Sequence, residues 1–341
     1  MIAQIPTLKD VAAKAGVSLS TASRALSQPH KVAPATRTTV MKVASQLGYQ
    51  PNEMARGLRQ RSSRVLGYVV NNLTNNFQAQ IIKGVQDTLF DKDFTLIIGN
   101  TNEDSNREQH YLEDLQRYHL QGLIVVPTHK TKQRLKELAN IPIIEVDRAS
   151  GRTRSHVVLT DNVAGAAAAV THLIELGHRR IAHISGDPDI TTGAERLAGY
   201  KQALDRCGLA FDETLWEVAA THDEDSGYQA ACRLLEQPTA TRPTAIFAFN
   251  SEVTAGVFRA TKSLGFNMPA ELSLLGFDDS RWAQLVTPSI SVVAQPAYDM
   301  GCVAAERLLS ALENPTMPGT TTRLSTRLIL RESTASPTNH T

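Results

Sequence analysis

The chain has 341 residues, 42% hydrophobic and 20% charged, with a formal net charge of +1. This composition is typical of folded proteins and excludes a disordered chain, and the length predicts about two or three domains. No apolar run approaches the roughly 20 residues that cross a bilayer. The first six residues lack a signal-peptide pattern, so the sequence predicts a cytoplasmic protein.

Positive charge is concentrated at the N-terminus. The first 64 residues contain ten lysines or arginines and two acids, a net charge of +8, which leaves 25 bases against 32 acids in the remainder. A small basic head on a mildly acidic body is typical of a nucleic-acid reader attached to a second functional unit.

The head has the pattern of a helix-turn-helix. One face of a first helix is formed by Leu8, Val11, Ala12 and Ala15. Thr7 and Asp10 resemble a capping box at its start, and Gly16 ends it. Ser18 then caps a second helix over residues 19–26. Two short helices joined through a glycine turn are the signature of this motif.

A third helix follows the motif. It begins at Pro34 and ends at Gly48, and its inner face is formed by Val40, Val43, Ala44 and Leu47. A small three-helix domain that binds another protein is the alternative, which the charge and the turn glycine disfavour.

The second helix is expected to enter the major groove by its N-terminal residues. Leu19 and Ser20 would then meet base edges, and Arg24 would reach guanine O6 and N7. Thr21 and Ser23 suit phosphate oxygens, which fix register only. The full set of predicted DNA contacts is Thr7, Ser18, Leu19, Ser20, Thr21, Ser23, Arg24, Lys31, Asn52, Ala55 and Leu58.

Residues 51–63 form a basic connecting segment. Asn52 can cap a helix there, but Gly57 and the crowded arginines make that helix marginal in isolation. The segment is expected to fold on DNA, where phosphates neutralise it, and Leu58 would wedge between base steps in the minor groove. A plain flexible linker is the alternative.

The body alternates between strand and helix patterns. Short apolar runs at residues 65–70, 94–98, 122–126 and 141–146 alternate with helical patterns, and after Asp161 a second series places strands at 180–184, 216–218, 245–249 and 272–275. Such alternation indicates βαβ units with parallel sheets. The predicted fold class is therefore an all-α helix-turn-helix head followed by two doubly wound parallel-sheet lobes, with a hinged cleft between them.

Polar side chains at strand ends are candidates for a ligand site in this cleft. They follow strands at Asn71–Phe77, Asp147-Arg148, Phe249-Asn250 and Phe277-Asp278, and Arg196 lies near the start of its helix. Asp, Asn and Arg beside aromatic rings suit sugars, because hydroxyl groups need paired donors and acceptors. For each residue alone, a helix cap or a structural ion pair is an equal alternative.

Enzyme and metal motifs are missing from the sequence. GxGxxG, GxxxxGK[ST], GxSxG and HExxH do not occur. His178 and His183 are interpreted as a surface and a strand histidine rather than a metal pair, and the three cysteines as buried free thiols. The sequence predicts no enzyme, no metal site and no cofactor. A solute-binding protein of this fold, or an enzyme tethered to DNA, is an alternative class.

The chain resembles the lactose-repressor/galactose-repressor family of bacterial transcription regulators from Thr7 to about Arg331. The motifs that carry the resemblance are TLKDVAAKAGVSLSTASRAL, LGYQPNEMARGL, IPIIEVDR, LGHRRIAHISG, ERLAGYKQAL, FNSEVTAG and LSLLGFDD. The sequence departs from the usual Asn-Asp pair of the family, because Ser251 follows Asn250 here.

The resemblance implies a homodimer that binds a pseudo-palindromic operator and has a periplasmic-binding-protein-like core. Leu19, Ser20 and Arg24 match the family's base-reading positions, and Leu58 matches its hinge leucine. The effector positions that match are Phe77, Asp147, Arg196, Asn250 and Asp278, and His222 falls where some members place an aromatic contact. The expected effector is a sugar or sugar acid, with a nucleoside or purine as the alternative; inducer and corepressor are not distinguished.

The resemblance also implies the domain limits. The head would span residues 1–50 and the hinge 51–63. The first lobe would combine 64–161 with 291–319, the second lobe 162–290 with 320–332, and residues 333–341 would form a polar tail.

Overall fold

The computed structural model describes residues 6–49, 64–136, 138, 140–153 and 155–338. The chain separates into two compact units, Met1–Ser63 and Arg64–Thr341, which we call the head and the core. The predicted DNA contacts Asn52, Ala55 and Leu58 lie outside the described residues.

The described part of the head consists of three α-helices around a small apolar centre. The helices are α1 (Leu8–Lys14), α2 (Leu19–Ser27) and α3 (Pro34–Leu47), with a 3-10 turn at Pro29–Lys31. Val11, Ala22 and Val40 are fully buried where the three helices meet. This is the helix-turn-helix that the sequence predicts.

Local signals fix the ends of these helices. The carboxylate of Asp10 accepts hydrogen bonds from the backbone N–H and the hydroxyl of Thr7, both at 2.7 Å, and the Ser18 hydroxyl accepts from the Thr21 N–H at 3.1 Å. Gly16 and Gly48 adopt φ of +65° and +64°, which favours glycine and ends α1 and α3.

The core alternates strands and helices along the chain. Its strands are β1 (Val65–Val70), β2 (Thr95–Asn100), β3 (Gly122–Val125), β4 (Ile143–Val146), β5 (His156–Thr160), β6 (Ile181–Ser185), β7 (Trp216–Val218), β8 (Ala245–Ala248), β9 (Ser273–Phe277), β10 (Ser291–Ala294), β11 (Thr321–Leu324) and β12 (Arg327–Ile329). Its helices are α4 (Asn76–Leu89), α5 (Ser105–Arg117), α6 (Thr131–Arg134), α7 (Asn162–Glu175), α8 (Thr191–Arg206), α9 (Glu224–Leu235), α10 (Ser251–Ser263), α11 (Arg281–Leu285) and α12 (Ala297–Glu313).

Within the described residues these strands form two six-stranded sheets, one in each lobe. The first has the order β11-β5-β4-β3-β1-β2 and its neighbouring strands are parallel. The second has the order β12-β10-β9-β8-β6-β7, in which β12 pairs antiparallel with β10. Two parallel-sheet lobes are therefore confirmed, with one antiparallel edge strand added.

The crossing between the lobes predicted at residues 161–162 is confirmed, since β5 lies in the first lobe and α7 in the second, but the two later crossings lie a few residues from where they were predicted. The prediction placed residues 291–319 in the first lobe, but β10 pairs with β9 in the second lobe. It placed residues 320–332 in the second lobe, but β11 pairs with β5 in the first. The chain crosses from the second lobe to the first between Ala294 and Ala297, and back to the second between Leu324 and Arg327. Backbone pairing with distant strands determines the lobe to which each segment belongs.

Helices α4 and α12 pack closely against each other in the first lobe. A Cβ added at Gly84 would lie 2.1 Å from the Tyr298 carbonyl oxygen, and one at Gly301 would lie 2.0 Å from the Ile81 carbonyl oxygen. Both contacts are to backbone, which cannot rotate away, so the two glycines set the distance between the helices.

Three expectations about peripheral residues are wrong. The predicted polar tail packs on the second lobe as far as Thr338: Ser333 is fully buried, and its hydroxyl donates to the Leu274 carbonyl. His178 is buried rather than on the surface. Cys207 is exposed, and the other two cysteines are only partly buried.

Among the described residues, none of the helices is long and apolar enough to span a bilayer.

Candidate functional site

The polar strand ends of both lobes meet in one cleft. Asp147 follows β4 and Asp278 follows β9, and both adopt left-handed backbone conformations, with φ of +69° and +74°. Aspartate tolerates this region better than bulky residues do. The conformation turns each chain sharply out of its strand, so that the two carboxylates lie at the facing edges of the sheets.

A small space in the cleft, which we call the inner cavity, has a volume of about 40 Å³. It is lined by Asn71, Asn75, Phe77, Gln78, Asp147, Arg148, Thr192, Arg196, Phe249, Asn250, Asp278 and Gln295. Five of the six predicted ligand residues are therefore brought together here, and His222 lies outside it.

Hydrogen bonds and aromatic rings hold Arg196 in the lining of the inner cavity. Its Nε donates to the Asn162 side chain at 2.9 Å, and its Nη1 donates to the Phe249 carbonyl at 2.7 Å. Its guanidinium carbon lies 3.7 Å from the ring centroid of Phe277 and 4.8 Å from that of Phe249. Burial lowers the pKa of Arg196, and the nearby Asp278 and Asp147 oppose this effect.

Two buried aspartates flank this arginine. Gln78 Nε2 donates to Asp147 at 3.1 Å, and Gln295 donates to Asp278. Burial raises the pKa of Asp147 to about 6, although the guanidinium groups of Arg148 and Arg196 favour its charged form. Burial also raises the pKa of Asp278. Each carboxylate would gain from additional hydrogen-bond donors, such as the hydroxyl groups of a ligand.

Four buried polar atoms on the cavity wall have no hydrogen-bond partner among the described residues. They are Asn71 Oδ1, Gln78 Oε1, Arg148 Nε and Thr192 Oγ1. Leaving a buried polar atom unpaired costs about 1–3 kcal/mol. Acceptors and a donor from the first lobe and a hydroxyl from the second are thus available in the inner cavity, a set that suits a ligand with several hydroxyl groups.

A larger polar chamber of about 430 Å³, which we call the vestibule, adjoins the inner cavity. Asn71, Asn75, Arg148 and Asn250 line both spaces. On one side of the vestibule, Arg148 forms a bidentate pair with Glu103 at 2.7 and 2.8 Å. Burial opposes ionisation of Glu103, but the charge and hydrogen bonds of Arg148 lower its pKa to about 2.

His222 and Asn250 already have partners within the protein. His222 lines the vestibule, where its Nε2 accepts from the Asp187 N–H at 2.8 Å and its ring packs 5.1 Å from that of Phe249. Asn250 caps α10 by accepting from the Val253 N–H at 2.8 Å and also donates to the His222 carbonyl. For Asn250, the helix-cap alternative of the sequence analysis is therefore observed.

Side chains of the two lobes contact each other across the cleft. The Thr191 hydroxyl accepts from the Ala149 N–H at 3.1 Å and donates to its carbonyl at 3.0 Å. His129 Nε2 lies 3.1 Å from a carboxylate oxygen of Asp187. These contacts join the loops that follow β3 and β4 in the first lobe to Asp187, which follows β6, and to the first residue of α8 in the second lobe.

Several residues of the inner cavity were not among the predicted ligand residues. Gln295 directly follows β10, as Asp147 and Asp278 follow their strands, but β10 is not among the strands that the sequence predicts. Thr192 and Gln78 lie in the first turns of α8 and α4, where polar residues are common for structural reasons alone. The sequence carries no distinctive signal for these two.

The helix-turn-helix exposes the residues predicted to contact bases. Leu19, Ser20 and Arg24 are exposed on α2, and Leu19 retains 40% of its surface. Arg24 Nε donates to the Ser20 carbonyl at 3.3 Å, which holds its side chain over the first turn of the helix. The Ser18 hydroxyl, in contrast, is used to cap α2.

The head and core together define a class of protein, a DNA-binding regulator with a two-lobed ligand-binding core. Residues 7–52 match the family described as bacterial regulatory proteins, lacI family, and residues 170–334 match the periplasmic binding protein-like domain.

Known proteins resemble the chain over nearly its whole length. It is 32% identical over 331 residues to catabolite control protein A of Priestia megaterium, covering 96% of this chain and 99% of that protein. It is 31% identical over 328 residues to the ribose operon repressor of Haemophilus influenzae, covering 96% and 98%. A solved complex of the transcriptional regulator CelR with cellobiose has a TM-score of 0.74 at 32% identity, covering 96% and 99%.

The chain therefore belongs to the lacI family of bacterial regulatory proteins, and the resemblance inferred from its motifs is confirmed. It is a transcriptional repressor of that family, with a DNA-binding head and a periplasmic-binding-protein-like core. Its relatives are regulators and not enzymes, as the sequence predicts.

Proposed function

We propose that the protein represses transcription as a homodimer on a pseudo-palindromic operator, and that a sugar in the cleft controls its affinity for DNA. The observation that carries the proposal is the inner cavity, where residues from both lobes bring together four buried polar atoms that have no hydrogen-bond partner among the described residues. A ligand that pairs with them stabilises one arrangement of the lobes over others, which is the requirement for allosteric control.

The chemistry of the inner cavity supports a carbohydrate effector. Asp147 and Asp278 accept hydrogen bonds, Arg196 is fixed between aromatic rings, and Phe77 contributes an apolar surface. Sugars combine apolar ring faces with many hydroxyl groups and therefore match this mixture. Two relatives point the same way, since one is a ribose operon repressor and another was solved with cellobiose.

A chain of hydrogen-bonded charged and polar side chains supports communication between the site and the arrangement of the lobes. Arg196 donates to Asn162, whose amide donates to Glu195 at 3.0 Å. Arg323 on β11, in the sheet of the first lobe, donates twice to Glu195 at 2.6 and 3.0 Å. A ligand that displaces Arg196 thus acts on a contact that joins α8 of the second lobe to the first.

Operator binding would depend on the exposed residues of α2 and on the charge of the head. Arg24 is proposed to read a guanine, while Thr21 and Ser23 contact phosphates. Because much of the affinity would come from phosphate neutralisation, operator binding should fall steeply with salt. Two linked heads raise the affinity of weak half-sites through their effective concentration.

Two apolar side chains of the core are exposed. Phe90 and Leu285 are 86% and 72% exposed, which is compatible with burial against a second copy.

Selection of bound duplexes from a random DNA library by the purified chain, at near-physiological salt, tests the DNA part. We expect a two-fold symmetric site, and sedimentation of the complex should give two chains per duplex. Enrichment of a single asymmetric half-site, or of no sequence, would contradict a dimeric operator reader.

Titration of the selected operator with and without sugars tests the coupling. Arg196→Ala and Asp278→Ala should abolish the response to the sugar while operator binding persists, because both residues line the inner cavity. By linkage, the operator must change sugar affinity by the same factor as the sugar changes operator affinity. Equal sugar affinity with and without operator would refute allosteric control, and loss of DNA binding in both variants would indicate a structural role.

A further inference from the structure

The vestibule carries an excess of negative charge. Its carboxylates belong to Glu103, Asp223, Glu224, Asp225 and Glu252, against the guanidinium groups of Arg148 and Arg259. The inner cavity adds two aspartates and one further arginine. Seven carboxylates thus face three guanidinium groups, a net charge of −4 when all are ionised.

Both vestibule arginines are already engaged by acids. Arg148 is bound by Glu103, and Arg259 donates to Glu224 and Asp225, each at 2.6 Å. An anionic ligand would have to compete with these carboxylates for either guanidinium. The remaining vestibule acids, Asp223 and Glu252, lie at or next to the caps of α9 and α10. Acids stabilise helix N-termini, but their charge still faces the vestibule.

The electrostatic environment of Glu252 reflects this excess. Burial raises its pKa, and the negative charges of Glu224, Asp278 and Asp223 act in the same direction. The negative neighbours that disfavour the charged form of Glu252 would also disfavour the binding of a sugar acid or sugar phosphate next to it.

The sizes of the two spaces indicate how far a ligand extends. A volume of about 40 Å³ has room for about three water molecules, so the inner cavity alone does not hold a sugar ring with the lobes in this position. The vestibule, at about 430 Å³, falls within the usual 300–1,000 Å³ of ligand sites. Asn71 and Arg148, both more than nine-tenths buried, line both spaces, and Asn71 Oδ1 has no hydrogen-bond partner among the described residues.

We infer that the effector is an uncharged oligosaccharide of at least two rings, that its rings occupy the acidic vestibule while only hydroxyl groups at one end reach into the inner cavity, and that the vestibule excludes sugar acids and sugar phosphates. This inference rests on the proposed sugar-responsive function. The sequence predicts a sugar or a sugar acid, and the inference restricts the effector to neutral sugars. The hydroxyl groups of a neutral sugar can donate to the carboxylates of the vestibule, whereas an anionic ligand is repelled by them.

Calorimetric titration and thermal stabilisation of the full chain with matched sugars test the inference. The probes are neutral disaccharides such as cellobiose, maltose and lactose, the monosaccharides glucose, galactose and ribose, and the uronic acid and phosphate counterparts of each. A neutral disaccharide should bind at least tenfold more tightly than its constituent monosaccharides and than its own anionic counterparts.

The outcomes separate this inference from the proposed function. A sugar acid or phosphate that binds as tightly as its neutral parent, or a monosaccharide that equals the disaccharide, would overturn the inference while leaving a sugar effector in place. Failure of every sugar to bind would instead refute the carbohydrate part of the proposed function.

A charge variant tests the electrostatic cause. Glu252→Gln should reduce the preference for neutral over anionic sugars at least threefold. Glu313→Gln, the same change at an exposed position on α12 away from the cleft, should leave the preference unaltered. Added salt should reduce the preference in the unmodified protein. A preference that responds to neither salt nor Glu252→Gln would show that exclusion is steric and would overturn the proposed role of the acids.

Discussion

Replacement of Asp147 by asparagine tests whether the cleft holds an ionised carboxylate at a cost to stability. Burial raises the pKa of Asp147 to about 6 from its ordinary value of 3.8, against the influence of Arg148 and Arg196. Asparagine retains an acceptor for Gln78 and tolerates the positive φ of this position. The substitution therefore removes mainly the charge.

The sign of the effect follows from the titration window. Between pH 3.8 and about 6 the unfolded chain has released this proton while the native protein retains it, so stability falls as the pH rises through that window. One pKa unit corresponds to about 1.4 kcal/mol, and the full rise amounts to about 3 kcal/mol above pH 6. Asp147→Asn should raise the free energy of unfolding by up to about 3 kcal/mol at pH 7.5 and by less than about 1 kcal/mol at pH 4.

Urea unfolding followed by circular dichroism at both pH values measures this difference. Asp91→Asn, at an exposed position whose side chain is away from the cleft, is the matched control and should change stability little at either pH. A variant less stable than the parent at pH 7.5 would show that attraction to the arginines outweighs burial, and the reasoning would then be refuted. The stabilised variant should also lose its response to sugar, since Asp147 lines the inner cavity.

Three other substitutions test separate parts of the molecule. Arg24→Ala should relax base preference at one operator position by about 1–3 kcal/mol in competition binding, whereas a uniform loss on all sequences would identify a phosphate contact. Gly301→Ala should destabilise the core by about 1–3 kcal/mol in thermal unfolding, because its Cβ would lie 2.0 Å from the Ile81 carbonyl; unchanged stability would show that the helices separate freely. Glu103 has a pKa lowered to about 2, so its stabilisation is present above pH 4.5 and lost as the pH falls through that interval. Glu103→Gln should reduce the loss of stability at acidic pH and weaken the hydrogen bonds that hold Arg148. An unaltered acid-unfolding profile would contradict the ion pair between Glu103 and Arg148.

The sequence identified the features that local chemistry controls. The helices of the head begin and end at Thr7, Gly16, Ser18 and Gly48, whose capping and backbone preferences act over three or four residues. The alternation of apolar runs with helical patterns gave both lobes. The rule that ligands lie beyond strand ends selected Asp147 and Asp278, which the fold does bring together.

Only the tertiary structure decided which lobe each late segment joins. β11 belongs to the first sheet because Thr321 pairs with Val157, and β12 to the second because Ile329 pairs with Val292. β5 was missed altogether, although its five residues are buried. Pairing between residues this far apart depends on how the whole chain folds back and leaves no local pattern.

The charge and division of the cleft were likewise decided by the tertiary structure. Glu252 and Asp223 are 29 residues apart and look like ordinary helix-start acids in the sequence, yet both line the vestibule. Gln295 reaches Asp278 only because β10 lies beside β9. Local propensities are set by neighbouring residues, whereas the potential and volume of a cavity are sums over side chains from many separate segments, so they exist only once the chain is folded.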